Sequence, residues 1–166
     1  MTLFHGKDVA IIDGTTGDSR NYVELASDRD AIAAALQSMN FASDEMVGLL
    51  SPNHCDYYAA VAGTLRAGLP VTPMNPVYTS EEIATQLKGS NAKVLITHAG
   101  ILDKVQEALK DAPSVKELFV VGDEDTAGVT SIRSLIKNTS TSPTELSISN
   151  DATAVLPYSS GTTGMR

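Results

Sequence analysis

Cysteine is nearly missing from this sequence: Cys55 stands alone among 166 residues, so no intramolecular disulfide can form. That usage fits a reducing compartment. Long apolar runs are missing too, and nothing approaches the roughly 18 consecutive apolar residues of a membrane-spanning helix. Met1 to Asp8 carries no apolar core of a secretory signal. Basic residues are few, 12 against 20 acidic ones, for a net charge of -8. That balance argues against a nucleic-acid partner, which needs a basic footprint. It leaves room for a nucleotide, because backbone N–H groups can hold a small phosphate ligand. His5 and His98 have no second ligand at metal spacing, so no protein-held metal site is expected.

What is present describes one globular domain. Apolar residues make up 42% of the chain and charged residues 19%, and a domain of this length buries about 70% of its unfolded surface. Ala10–Asp13 and Asn21–Leu25 flank a Gly/Thr/Asp-rich stretch and read as a hairpin. From about Glu24 to Met39, Leu25, Ile32, Leu36 and Met39 form one helical stripe, with Asp28, Arg29 and Asp30 on the other side. Short apolar runs near 46, 70, 94, 118 and 153 then alternate with helical patterns over much of that span. Nearly continuous apolar strands separated by helices predict an α/β fold with a largely parallel sheet covered on its faces. Residues 137–150 are Ser/Thr-rich and polar and read as a surface loop.

The chemistry concentrates at the end of the chain. Thr153-Ala154-Val155-Leu156-Pro157-Tyr158 reads as a buried strand and runs into Ser159-Ser160-Gly161-Thr162-Thr163-Gly164-Met165-Arg166. Glycines let consecutive N–H groups point at one anion, and hydroxyls add donors for phosphate oxygens. The spacing is not that of a Walker A loop. Composition alone decides little, because Gly14-Thr15-Thr16-Gly17 repeats the same four letters between two strand-like runs. There a hairpin turn is the better reading.

The whole run Leu156-Pro157-Tyr158-Ser159-Ser160-Gly161-Thr162-Thr163-Gly164 resembles the signature loop of the adenylate-forming (AMP-binding) superfamily. Upstream, Ser51-Pro52-Asn53 before a helix, Ala67-Gly68 and Asn75-Pro76-Val77-Tyr78-Thr79 resemble the branch of 4-coumarate:CoA ligases and luciferase-like acyl-CoA synthetases. Asp13-Gly14 leading to Tyr22-Val23-Glu24-Leu25 is similar to that branch's opening hairpin and helix. The resemblance covers almost the whole chain in the family's order.

This resemblance implies that residues 1–166 are the first part of the N-terminal AMP-binding domain, cut within its phosphate-binding loop. It implies an acid-thiol ligase that makes acyl-adenylate and pyrophosphate from a carboxylic acid and ATP with Mg²⁺, then acyl-CoA with coenzyme A. Ser159, Ser160, Gly161, Thr162 and Thr163 would hold the ATP phosphates, and no catalytic residue would lie within this stretch. Alone it would be inactive, and the location would be cytoplasmic or peroxisomal. The family loop usually continues with a small or apolar residue and then a lysine or arginine. Arg166, directly after Met165, either takes the small-residue position, the favoured reading, or is the basic residue after a one-residue deletion, so it receives no catalytic role. The alternatives are a non-catalytic α/β binding module, or an adenylation-domain or luciferase-like enzyme of the same superfamily.

Other candidates have plainer readings. His54-Cys55-Asp56 occupy successive positions at a helix start and face different directions, with Asn53 or Asp56 as the expected cap. Tyr57 and Tyr58 read as packing residues and Tyr78 as a residue that fixes a loop. Glu81 and Glu82 suit a first helical turn and its dipole.

Overall fold

The computed structural model of the chain describes residues 6–159. Strand β1 (Val9–Ile12) pairs antiparallel with β2 (Ser19–Asn21). Their turn is the Gly14–Gly17 stretch, held by the Asp13 carboxylate, which accepts from the N–H groups of Thr15 and Thr16 at 2.8 and 3.1 Å. The second arm is shorter than its sequence suggests. The Asn21 side chain accepts from the Glu24 N–H at 2.9 Å while Glu24 accepts from the Asn21 N–H at 2.8 Å. This capping box satisfies free amides at the helix start and turns the chain into α1 (Tyr22–Ser38), so Tyr22–Leu25 are helical rather than extended.

The remaining elements are β3 (Val47–Leu50), α2 (Cys55–Arg66), β4 (Val71–Met74), α3 (Ser80–Ser90), β5 (Val94–His98), α4 (Leu102–Leu109), β6 (Glu117–Val121), β7 (Thr130–Ser131) and α5 (Ile132–Asn138). A 3₁₀ turn, Ala99–Ile101, joins β5 to α4. The five later strands form one parallel sheet in the order β4-β3-β5-β6-β7. The α/β expectation is met, with β7 added by two residues too short to leave a pattern.

Side chains alternate across this sheet and divide the core in two. Val47, Leu49, Val94, Ile96, Phe119 and Val121 face a cluster shared with Ile32 and Leu36 of α1, Ala59 and Ala60 of α2 and Ile132 of α5. Leu50 and Leu95 face the opposite cluster, with Ile83 and Leu87 of α3 and Val105 and Ala108 of α4. Strands covered on both sides lose nearly all contact with water: Val47, Leu49, Leu50, Val94, Leu95 and Ile96 are fully buried. Gly63 sets how closely α1 and α2 approach, since a Cβ there would stand 2.6 Å from the Cβ of Ile32.

Two expectations are corrected by burial. Asp28, placed by periodicity on the open side of α1, is buried, because Arg133 of α5 donates to it at 2.6 Å. Thr153–Tyr158, expected as a buried strand, makes a single parallel bridge, Val155 to Val71, and Val155 is 47% exposed. Its apolar residues lie beyond β4, at the margin of the sheet, where β4 is the one strand they meet among the described residues.

Candidate phosphate-binding site

The candidate loop begins at Ser159, which is exposed and is the last described residue. Ser160, Gly161, Thr162 and Thr163 lie outside the described residues. What the structure supplies is the stem from which the loop departs. The Val71 N–H donates to the Ala154 carbonyl at 2.9 Å, and the Leu156 N–H donates to the Val71 carbonyl at 2.8 Å. The Thr72 hydroxyl adds a third bond, to the Leu156 carbonyl at 2.9 Å.

Behind Thr72 stands Gln86 of α3, which donates to the Thr72 hydroxyl at 2.8 Å and to the Pro73 carbonyl at 3.0 Å. Thr72 is fully buried and Gln86 is 3% exposed. Tyr158 reaches the same helix: a Cβ on Gly89 would stand 2.7 Å from its hydroxyl oxygen. Sequence reasoning did not find Thr72, Gln86 or Gly89. A signal existed for Gln86, which sits three residues after Ile83 and one before Leu87, on a stripe otherwise apolar.

A second polar group sits where the strand order reverses, between the carboxyl ends of β3 and β5, the usual ligand crevice of an open parallel sheet. His54 caps α2, its Nδ1 accepting from the Asp56 N–H at 3.1 Å, in place of the expected Asn53 or Asp56. His98 caps the 3₁₀ turn, its Nδ1 accepting from the Gly100 N–H at 3.0 Å. The two rings lie 6.4 Å apart between centroids, a proximity that sequence spacing hides. The hydrogen-bond pattern assigns the ring proton of each neutral imidazole to Nε2, so the pair presents donors rather than metal-binding lone pairs. Burial, then the neighbouring His54, holds His98 below the ordinary histidine range.

Asp56 is fully buried beside this crevice. It accepts from Arg133 and from the Gly122 N–H, the latter at 3.2 Å. Burial opposes the charge on Arg133, but its bonds to Asp28 and its attraction to Asp56 outweigh that, and the guanidinium is held above its ordinary value. These three side chains tie α1, α2 and α5 to the end of β6. Tyr57 packs half-buried as expected, whereas Tyr58 is 51% exposed. The backbone N–H of Tyr78 donates to the Asn75 carbonyl at 3.0 Å, and its side chain packs partly buried against the cluster under α3 and α4.

A cleft of about 780 Å³ lies elsewhere, lined by Leu36, Phe41, Leu65, Leu69, Leu146 and Ile148 among others. None of its lining residues is titratable. Among the described residues no helix is long and apolar enough to cross a membrane.

The family model described as AMP-binding enzyme matches residues 4–166. 4-Coumarate–CoA ligase 1 of Petroselinum crispum is 34% identical, over 96% of this chain and 29% of that protein. Peroxisomal OPC-8:0-CoA ligase 1 of Arabidopsis thaliana is 32% identical, over 97% of this chain and 30% of that protein. Among solved structures, an anthranilate CoA ligase in complex with anthranoyl-AMP superposes with a TM-score of 0.83 at 23% identity, over 96% of this chain and 30% of that one. A red-emitting luciferase from Phrixothrix hirtus gives 0.82 at 22% identity, over 92% of this chain and 39% of that one. At such identities the superpositions establish the fold. The chain spans about 30% of the length of the curated relatives it matches.

Proposed function

This chain belongs to the AMP-binding enzyme family, and from that premise we propose that it is the opening part of an ATP-dependent, AMP-forming carboxylic acid:CoA ligase. One observation carries the reading: the family match extends through residue 166 and takes in the Leu156–Gly164 run. The relatives named as CoA ligases, from two plant species, support the thiol acceptor.

The donor set suits phosphate. Ser159, Ser160, Thr162 and Thr163 offer hydroxyls, Gly161 permits close backbone approach, and no Asp or Glu stands among residues 152–166. In the proposed reaction a carboxylate oxygen bonds to the α-phosphorus of ATP, the bond to the bridging oxygen breaks, and pyrophosphate leaves. The CoA thiolate then attacks the acyl carbon, and AMP departs as the thioester forms. Ser159, Ser160, Gly161, Thr162 and Thr163 cradle the β- and γ-phosphates and hold the leaving group in line. Mg²⁺, when bound with ATP, neutralises phosphate charge. The loop's contribution is therefore positioning and electrostatics, with no group in it acting as nucleophile or general base.

The experiment is product identification with the full-length protein, ATP, Mg²⁺, CoA and a panel of hydroxycinnamic and fatty acids. AMP and pyrophosphate, formed only with an acid present, are expected. ADP and orthophosphate would overturn the mechanism.

A further inference from the structure

The ladder between β4 and the stem of the phosphate loop stops after one residue, and the reason is written in β4. In a parallel pair, the residue that exchanges both bonds with its neighbour recurs every second position. Val71 is such a residue, donating to Ala154 and accepting from Leu156. The next would be Pro73, whose N–H should meet the Leu156 carbonyl and whose carbonyl should meet the Tyr158 N–H. Proline has no N–H, so the first of these bonds cannot form.

Both orphaned acceptors are taken by side chains instead. The Thr72 hydroxyl donates to the Leu156 carbonyl, and the Gln86 amide donates to the Pro73 carbonyl. The amide also donates to the Thr72 hydroxyl, so Gln86, Thr72 and Leu156 form one directed chain of hydrogen bonds. A buried amide and hydroxyl are costly without partners, and here each donor is used. Among the described residues, those past Leu156 make no backbone bond to the sheet, and Tyr158 lies over Gly89 of α3, three residues from Gln86.

We propose that Thr72 and Gln86 are positioning residues for the phosphate loop. Together with Pro73 they end the ladder at Leu156 and so set the point and direction from which Ser159 departs. This rests on the phosphate-binding reading of Ser159–Thr163. It adds a requirement on buried residues that never touch the nucleotide.

The test uses the full-length protein and separates the ATP requirement from stability and from the acid. Thr72→Val keeps the shape and removes the donor. It should raise KM for ATP about tenfold, the effect of losing roughly one positioning hydrogen bond, and leave KM for the acid within about twofold. Thr72→Ser, which keeps the hydroxyl, should restore ATP binding to near the parent value. Adding Pro73→Ala to Thr72→Val should also recover most of the ATP affinity, because a backbone N–H then meets the Leu156 carbonyl. Gln86→Leu should raise KM for ATP in the same sense. A folded Thr72→Val protein with unchanged KM for ATP would overturn the proposal. So would equal losses for ATP and acid that Pro73→Ala does not relieve. If the parent protein converts no ATP to AMP with any acid, the phosphate-binding reading itself fails, a result distinguishable from both.

Discussion

Arg133 donates to Asp56 from 77 positions further along the chain, at a point where the carboxylate has no contact with water. The same guanidinium reaches Asp28, so one cation serves two buried anions on different helices. Removing it leaves both uncompensated. Arg133→Met is expected to destabilise the fold by about 3–5 kcal/mol, the range for breaking a buried pair from one side. Adding Asp56→Asn should recover part of that loss, since the neutral amide no longer demands a counter-ion. Urea unfolding of the parent, both single variants and the double variant checks this. Additive losses would show that the two groups are energetically independent.

Close helix contact gives a second test. Gly63→Ala places a Cβ 2.6 Å from the Ile32 Cβ and 3.0 Å from the Arg29 carbonyl. Alanine is worth up to about 1 kcal/mol over glycine inside a helix, but overpacking against backbone costs about 1–3 kcal/mol. A net loss is expected in thermal unfolding. A more stable variant would mean that α1 and α2 separate without cost.

The burial of His98 makes stability depend on pH. Its folded-state value lies below the ordinary 6.5, through burial first and the nearby His54 second. The unfolded chain therefore takes up a proton before the folded one does, and stability is lost as pH falls below about 6.5. Asp13, Asp30 and Glu145 are held below their ordinary values, so they titrate below this window. His98→Asn keeps an oxygen to accept the Gly100 N–H and removes the titration. Urea midpoints at pH 7.5 and 5.5 should differ less in this variant than in the parent. An equal fall in both would remove His98 from the pH response.

These results also separate what the sequence disclosed from what it hid. First-turn residues are local, so Glu81 and Glu82 announced the start of α3, where Glu82 and Thr79 form both bonds of a capping box. Parallel strands buried on both faces read as apolar runs, and β3, β5 and β6 stand close to where those runs lie. Partners far apart in sequence left no such mark. Asp28 and Arg133 are 105 positions apart, and an aspartate on a helix face opposite the apolar stripe looks solvated until its arginine is placed. The histidine pair is hidden for the same reason, because only strand order brings β3 and β5 side by side. The loop residues were legible as letters, whereas the stem that aims them depends on a proline in a neighbouring strand.

The isolated 166-residue chain is expected to show no ligase activity and weak binding of Mg-ATP at best. Its loop stem is held by three hydrogen bonds on the upstream side. Ordering a loop costs about 1–2 kcal/mol of backbone entropy per residue, which offsets much of what phosphate contacts return. Calorimetric titration tests this. Micromolar binding by a monomer would show that the chain is a self-sufficient nucleotide module.

The central claim is that a carboxylate attacks the α-phosphorus of ATP in the full-length protein. The direct measurement follows oxygen from the acid. With ¹⁸O in the carboxylate, ATP, Mg²⁺ and CoA, one labelled oxygen per turnover should appear in AMP, carried there when the thiolate displaces it. Label in orthophosphate, or none in AMP while thioester accumulates, would contradict the account.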